Sequence, residues 1–339
     1  MSRFRILVAL LGIVLSAAAI YFLARSIDVK AALQALGRAS PGWLLASFAA
    51  TVFVYYLRSL RWGALLKLHA RPSASSLFRS NMMGFLAVNT LPARLGELVR
   101  AYLLARRERI STATVLGSVA VERILDLAFL GIFWALSLLF APVPAWFRWS
   151  GIVTLAVTVV IAAALWAMQA ARGKRTGWAV RVRSWVPRPI RDKFASAASS
   201  FGAGLEVLAR PRLLAEAFAW SVALWLASGA VFLLAGESLG MRLPVWSMFV
   251  LTFVVCVGIS LPSSPGFIGI MEWACVMGLA VVGVQGPEAL AFGILYHLTQ
   301  IGPLLVLGTY FAVRDHVTPA RLKALTGSGE GGGRKKRRH

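Results

Sequence analysis

The chain has 339 residues, 58% of them hydrophobic and 14% charged, and its mean hydropathy is +0.73. That balance excludes an ordinary soluble domain and puts the chain among membrane proteins. Its 36 Lys and Arg against 13 Asp and Glu lie mainly between apolar runs, which argues against a nucleic-acid partner and for anionic lipid headgroups.

The first apolar run covers residues 6–23, behind Arg3 and Arg5. Ala17-Ala18-Ala19 offers small residues for cleavage, but the run is long and unbroken for a signal peptide and is expected to stay as a first span. Further spans are expected over residues 42–57, 115–140, 152–168, 213–234 and 289–313. Each is near the roughly 20 residues that cross a hydrocarbon core of about 30 Å.

Two apolar segments between these spans are broken by proline. The first reads Asn89-Thr90-Leu91-Pro92-Ala93-Arg94-Leu95-Gly96-Glu97, and the second Leu261-Pro262-Ser263-Ser264-Pro265-Gly266-Phe267, with Glu272 just beyond. A broken helix frees backbone N–H and C=O groups that lipid cannot satisfy, so such breaks need protein or a wet cavity around them. The arms of the first break, residues 81–91 and 94–104, are each about 16 Å long as helix, enough to reach the middle of the bilayer and return. The break at Pro92 therefore predicts a re-entrant hairpin. The arms of the second, residues 245–261 and 267–282, are about 24–26 Å long, and the sequence leaves a deep hairpin and two short spans both open.

Loop charge sets the orientation. Residues 58–79 hold five Lys or Arg, residues 172–212 hold ten, and the tail ends Arg334-Lys335-Lys336-Arg337-Arg338. Residues 141–150 carry only Arg148, and residues 236–244 carry Glu237 and Arg242. The basic segments, loop 171–212 and the C-terminus among them, should face the cytoplasm of an inner-membrane protein. The loop 25–40 is then external, in spite of Arg25, Lys30 and Arg38.

The units 42–140 and 213–313 thus read span, hairpin, span in opposite directions. Both breaks run Leu-Pro, a small or polar residue, Gly and then Glu, as expected of an inverted repeat with its site near the midplane. The expected fold class is all-α: a polytopic bundle of 6–8 spans with two broken-helix hairpins, in one transmembrane domain over residues 1–315. Trp178 and Trp185 among Arg181, Arg183, Arg188 and Arg191 fit a helix on the anionic leaflet as well as they fit a plain linker. Residues 316–339 read as a basic, disordered tail.

Charged residues inside the apolar segments carry the functional argument. Arg94, Glu97 and Arg100 recur at i+3 on one arc. Thr114, Ser118, Glu122 and Asp126 recur at i+4 with Arg123 adjacent, which gives that span one polar stripe. Each unpaired charge there would cost about 2.5–3.5 kcal/mol, so the stripe requires mutual pairing or a polar lining. Static ion pairs that lock helices are one reading; an anion held by Arg94, Arg100 or Arg123 at a half-helix N-terminus is the other. At the second break, Ser263, Ser264 and the Gly266 backbone lie at a helix start between Pro262 and Pro265, with Glu272 next to them. Tyr296, His297 and Gln300 read as a packed kink before Pro303, or as lining of the same cavity opposite Glu122.

Cys256 and Cys275 read as small buried hydrophobes, and the four histidines form no ligand set. No P-loop, Rossmann turn or zinc motif is present, so the expectations are no cofactor, no metal and no enzyme activity.

Leu91-Pro92-Ala93-Arg94-Leu95-Gly96-Glu97-Leu98-Val99-Arg100, then Val121-Glu122-Arg123-Ile124-Leu125-Asp126, then the stretch from Pro262 through Gly266 to Glu272, resemble the lysylphosphatidylglycerol synthase transmembrane region family, a flippase-like membrane family. The resemblance covers residues 5–315. Its best-known members fuse this region to a cytoplasmic aminoacyl-transferase domain and move aminoacylated phosphatidylglycerol across the membrane. Only some 26 residues follow Val313, so the resemblance implies the translocating region without the lipid-modifying activity. It leaves the lipid open among phospholipids, polyprenyl-linked sugars and hopanoid-type lipids.

Residues and resemblance together predict a lipid translocase working through a polar intramembrane cavity. Arg94, Arg100 and Arg123 would hold a phosphate; Glu97, Glu122, Asp126 and Glu272 would hold amines or hydroxyls or balance the arginines. The alternatives are a membrane-embedded transferase acting on a lipid-linked substrate, and a non-transporting partner of a lipid-biosynthesis enzyme.

Overall fold

A computed structural model of the chain describes residues 3–90, 96–170, 197 and 199–316. Pro92 and Arg94, most of the basic loop 171–212 and the tail after residue 316 lie outside these. The described chain is helical throughout. α1 (Arg3–Ser26) is followed by α2 (Val29–Leu36), which starts where the Asp28 carboxylate accepts from the Ala31 N–H. Pro41 in the first turn opens α3 (Pro41–Leu66). α4 (Ala74–Thr90) and α5 (Gly96–Glu108) are the arms of the first hairpin. Ser111 caps α6 (Thr112–Phe140), and α7 (Ala145–Ala170) follows. A 3-10 turn (Glu206–Ala209) leads to α8 (Pro211–Ser238), again with proline in its first turn.

α9 (Ser247–Ser260) and α10 (Ile270–Val282) are the arms of the second hairpin, separated by a 3-10 turn at Pro265–Phe267. α11 (Pro287–Pro303) runs through one π turn (Leu304–Gly308) into α12 (Thr309–Arg314). Among the described residues, five helices are long and apolar enough to cross a membrane: α3, α6, α7, α8 and the composite α11–α12. Counting the bent pair α1–α2, which turns by 91°, makes six. The all-α polytopic bundle expected from sequence is what the chain forms.

Several boundaries differ from the expected ones. α3 does not stop at residue 57 but continues to Leu66, so Arg58 and Arg61 belong to a helix inside the bundle and not to a cytoplasmic loop. The physical reason is that both find carboxylates on α6, which removes the penalty that seemed to end the span. The first hairpin has arms of 17 and 13 residues, longer than expected because each extends beyond the apolar stretch. The arms of the second have 14 and 13 residues, about 20 Å as helix, and pack on each other, so this element is a hairpin and not two full spans.

α3 packs against α8, the first helices of the two units. α4 packs on the π turn of the last helix of the second unit, while α9 packs on α6, the last helix of the first unit. The central core between α3, α8, α10 and α11 holds Leu57, Leu224, Phe232, Met271, Phe292 and Tyr296, with the Phe232 and Tyr296 rings stacked at 4.2 Å. A second core joins α6, α8 and α9 through Phe129, Phe133, Trp225 and Phe253. The end of α4 meets the 3-10 turn of the second hairpin.

Candidate functional site

The polar stripe of α6 faces α3 and α5. Glu122 is fully buried and Asp126 nearly so. Arg61, fully buried on α3, reaches both: its Nη1 donates to Asp126 Oδ1 at 2.6 Å, and its Nη2 lies 3.1 Å from Glu122 Oε1. Arg100 on α5 is also fully buried, with Nη2 3.2 Å from Glu122 Oε2. Arg123 Nη2 donates to Glu122 Oε1 at 2.9 Å, its Nη1 is 3.3 Å from Asp126 Oδ2, and its Nε is 3.7 Å from Glu97. Arg58, one turn before Arg61, stands at 3.8 Å from Glu122 and 3.9 Å from Asp126.

Backbone packing puts Arg100 in place. A Cβ at Gly84 would fall 2.4 Å from the Arg100 Cβ, and one at Gly96 would fall 2.2 Å from the Gly84 carbonyl oxygen. Only glycine lets α4 and α5 approach this closely. The approach sets Arg100 Nη1 3.1 Å from Asn81 Oδ1, and the Asn81 amide donates in turn to Ser59 on α3. The Arg100 guanidinium also lies over the Trp62 ring, 5.0 Å from its centroid, which lowers the cost of burying its charge. The Trp62 indole N–H is anchored on Ser118 of the same α6 stripe.

Among the described residues the cluster joins four arginines, Arg58, Arg61, Arg100 and Arg123, to three carboxylates, Glu97, Glu122 and Asp126. The balance is one net positive charge. The buried Nε groups of all four arginines, with Nη2 of Arg61 and Arg100, have no aligned acceptor among these residues. The interior of the cluster is buried, whereas its rim, the side chains of Arg123 and Glu97, is 38% and 39% exposed. The arrangement is a mutually paired charge cluster with one partly exposed edge, and Glu122 Oε2 likewise has no aligned donor.

The second break carries a separate set. Glu272 Oε2 accepts from the Gly269 N–H at 2.7 Å, the half of a capping box that a glycine N-cap can make. Its Oε1 lies 2.6 Å from Nδ1 of His297, and the other ring nitrogen lies 2.7 Å from the Gly266 carbonyl oxygen. Gly266 and Gly269 have φ of +75° and +85°, the left-handed region that bends the chain between Pro265 and α10. α1 covers this turn: the Ser264 N–H donates to Ser16 Oγ at 2.9 Å, and a Cβ at Gly12 would fall 2.6 Å from the Ser263 carbonyl oxygen. The Ser264 hydroxyl donates to the Ile268 carbonyl.

The structure therefore unites Glu97, Arg100, Glu122, Arg123 and Asp126 and adds Arg58 and Arg61, which sequence reasoning assigned to a loop. Their signal was present: Ser47, Thr51, Tyr55 and Ser59 at i+4 continue the helical period past residue 57. Arg94 lies outside the described residues. Ser263, Ser264, Gly266, Glu272 and His297 gather at the other break. His297 pairs with Glu272 and not with Glu122, so of its two readings the one that set it opposite the α6 acid does not match the geometry. Among the described residues no group of three or more His, Cys, Asp or Glu side chains is placed to hold a metal ion.

A protein-family model described as "Lysylphosphatidylglycerol synthase TM region" matches residues 9–308 of the chain. The chain is also similar to the glycosyltransferase AglD of Haloferax volcanii, 31% identical over 117 residues, which is 34% of this chain and 19% of AglD. The aligned part thus spans about a fifth of that protein.

Proposed function

The chain belongs to the lysylphosphatidylglycerol synthase TM region family, and from that premise we propose that it moves a lipid with an anionic headgroup between leaflets. One observation carries the reading: a buried cluster of four arginines and three carboxylates with one net positive charge and a partly open rim. A buried charge cluster of this size is costly as inert glue, since small residues or Ser and Thr join helices at lower cost. A phosphate at the rim would meet Arg123 and balance the excess positive charge, while the tails stay in lipid. Arg123 and Arg58 make first contact, and Arg61 and Arg100, fixed by Glu122, keep the interior positive.

The reciprocal packing of the two span–hairpin–span units supports an inverted repeat, and the contact of α4 with the turn of the second hairpin supports a site shared between the units. We assign the chain to the cytoplasmic membrane, with loop 171–212 and the C-terminus inside, on the loop-charge asymmetry. Lipids are the partners this reading requires, and it requires neither a cofactor nor a catalytic group. The partial similarity to a protein named a glycosyltransferase favours one second reading, a membrane partner of an enzyme that builds lipid-linked sugars.

Leaflet-resolved lipidomics of cells with and without the chain tests the proposal. One class of anionic lipid should shift its leaflet distribution on deletion, and Asp126→Asn should reproduce the shift. Unchanged leaflets with a changed total amount of a lipid would favour the partner reading.

A further inference from the structure

The contacts of His297 impose a proton count. Its Nδ1 faces the Glu272 carboxylate at 2.6 Å and its Nε2 faces the Gly266 carbonyl at 2.7 Å, so both ring nitrogens meet oxygen acceptors. A neutral imidazole has one N–H, and an ionised Glu272 only accepts, so one of the two contacts would then be acceptor to acceptor. All are satisfied when the pair holds one more proton. Glu272 Oε2 already accepts the Gly269 N–H at the start of α10, so both of its oxygens are engaged as acceptors and the imidazole is the group placed to donate on either side.

We propose that His297 and Glu272 form a proton-binding site that latches the second hairpin break to α11, and that its loading and unloading couple protons to movement of the break. With the proton bound, imidazolium bridges α10 and the Gly266 carbonyl and the turn is held. Loss of that proton to water leaves the Gly266 carbonyl or the Glu272 carboxylate without its donor, in a segment where lipid offers none.

The surroundings fit this role. Titratable groups on the elements around His297 include Glu272 and Cys275 of α10, Tyr55 and Tyr56 of α3, Cys256 of α9, and Glu288 and Tyr296 of α11 itself. Cations on these elements are directed elsewhere: Arg61 of α3 is held by Asp126, and Arg25 of α1 is exposed, as is Tyr21 of the same helix. Arg58 lies nearest along α3 and is directed to Glu122 and Asp126. On α2, Lys30 and its neighbour Asp28 are exposed, and Glu237 at the end of α8 is exposed. Among the described residues, His297 is the ion-pair partner of Glu272.

The latch also has a mechanical path to the arginine cluster. α11 holds the second hairpin through His297, and its π turn packs on the first, where a Cβ at Gly308 would fall 2.9 Å from Leu86 Cβ of α4. The Asn89 carbonyl oxygen at the end of α4 would lie 3.9 Å from a Cβ on Gly266. The Gly266 turn is thus a neighbour of the arm that carries Asn81 against Arg100.

The inference rests on the translocase reading for its consequence but not for its chemistry, and one experiment separates the two. The full chain is placed in bilayers of phosphatidylcholine and phosphatidylglycerol, and amide hydrogen exchange over residues 261–269 is corrected for intrinsic rates at about pH 5.5 and 8.5. Protection should fall by about tenfold at the higher pH, as for loss of one charge-assisted hydrogen bond. It should be flat with pH in His297→Gln and, as an independent variant, in Glu272→Gln. Flat protection in the wild type, or the same fall in whichever variant folds, overturns the proposal. Movement of tail-labelled phosphatidylglycerol is followed in the same bilayers. Protection that responds to pH without any lipid movement would sink the translocase reading and leave the latch; movement with flat protection would do the reverse.

Discussion

Arg61 on α3 donates to Asp126 on α6 at 2.6 Å, and Arg61 is wholly withdrawn from solvent while only a tenth of the Asp126 side chain is exposed. The pair joins the middle of one span to the polar stripe of another, with Glu122 at 3.1 Å on the same guanidinium. Removing one partner leaves a charge buried without its counterion, so Arg61→Ala or Asp126→Ala should cost about 3–5 kcal/mol. Thermal unfolding in detergent checks this. The double variant Arg61→Met/Asp126→Leu should recover most of that stability by apolar packing, yet still fail to move lipid. Recovery of both would make the pair structural only.

Arg123 should separate the two properties in the opposite way. Its side chain is 38% exposed, and its pair with Glu97 lies at the rim, where ion pairs contribute about 0–1 kcal/mol. Its buried partners Glu122 and Asp126 keep Arg61 as a counterion when it is removed. Arg123→Gln should therefore melt close to wild type while lipid movement falls by at least about tenfold, the loss of one charge-assisted contact. An equal loss of stability and transport would place Arg123 with Arg61 as a brace.

The approach of α4 to α5 predicts a sharp steric effect. Gly84→Ala and Gly96→Ala put a methyl 2.4 Å and 2.2 Å from backbone or Cβ atoms of the opposite arm, with Arg100 directly affected. Overpacking of this kind costs about 1–3 kcal/mol and should displace Arg100 from Asn81 and Glu122. Gly42→Ala, at a helical position with nothing within 4 Å, should be neutral or slightly stabilising. Stability and lipid movement measured on all three variants provide the comparison.

Much of this was legible in the sequence, for reasons specific to each residue. The breaks at Pro92 and Pro262 stand out because lipid offers broken backbone no partner, and Glu122 with Asp126 shows as an i+4 stripe in an apolar span. Arg58 and Arg61 were missed because charge was taken as the end of a span, whereas counter-charges on α6, some 65 residues away, keep them inside. The Glu272–His297 contact, 25 residues apart, depends on how α10 crosses α11, which local periodicity does not encode. Nor does any pattern in α1 distinguish Gly12 and Ser16, which cover the second break, from other small residues on a lipid-facing helix.

The most direct measurement is lipid movement by the purified chain. Vesicles of phosphatidylcholine and phosphatidylglycerol are prepared with a trace of tail-labelled phosphatidylglycerol, and a membrane-impermeant reductant then quenches the label in the outer leaflet. The account predicts that the chain exposes the inner-leaflet pool to quenching, that a tail-labelled zwitterionic lipid moves more slowly, and that Arg123→Gln removes the difference. A protected fraction equal to that of protein-free vesicles for the anionic probe, with the chain folded and inserted, would contradict it.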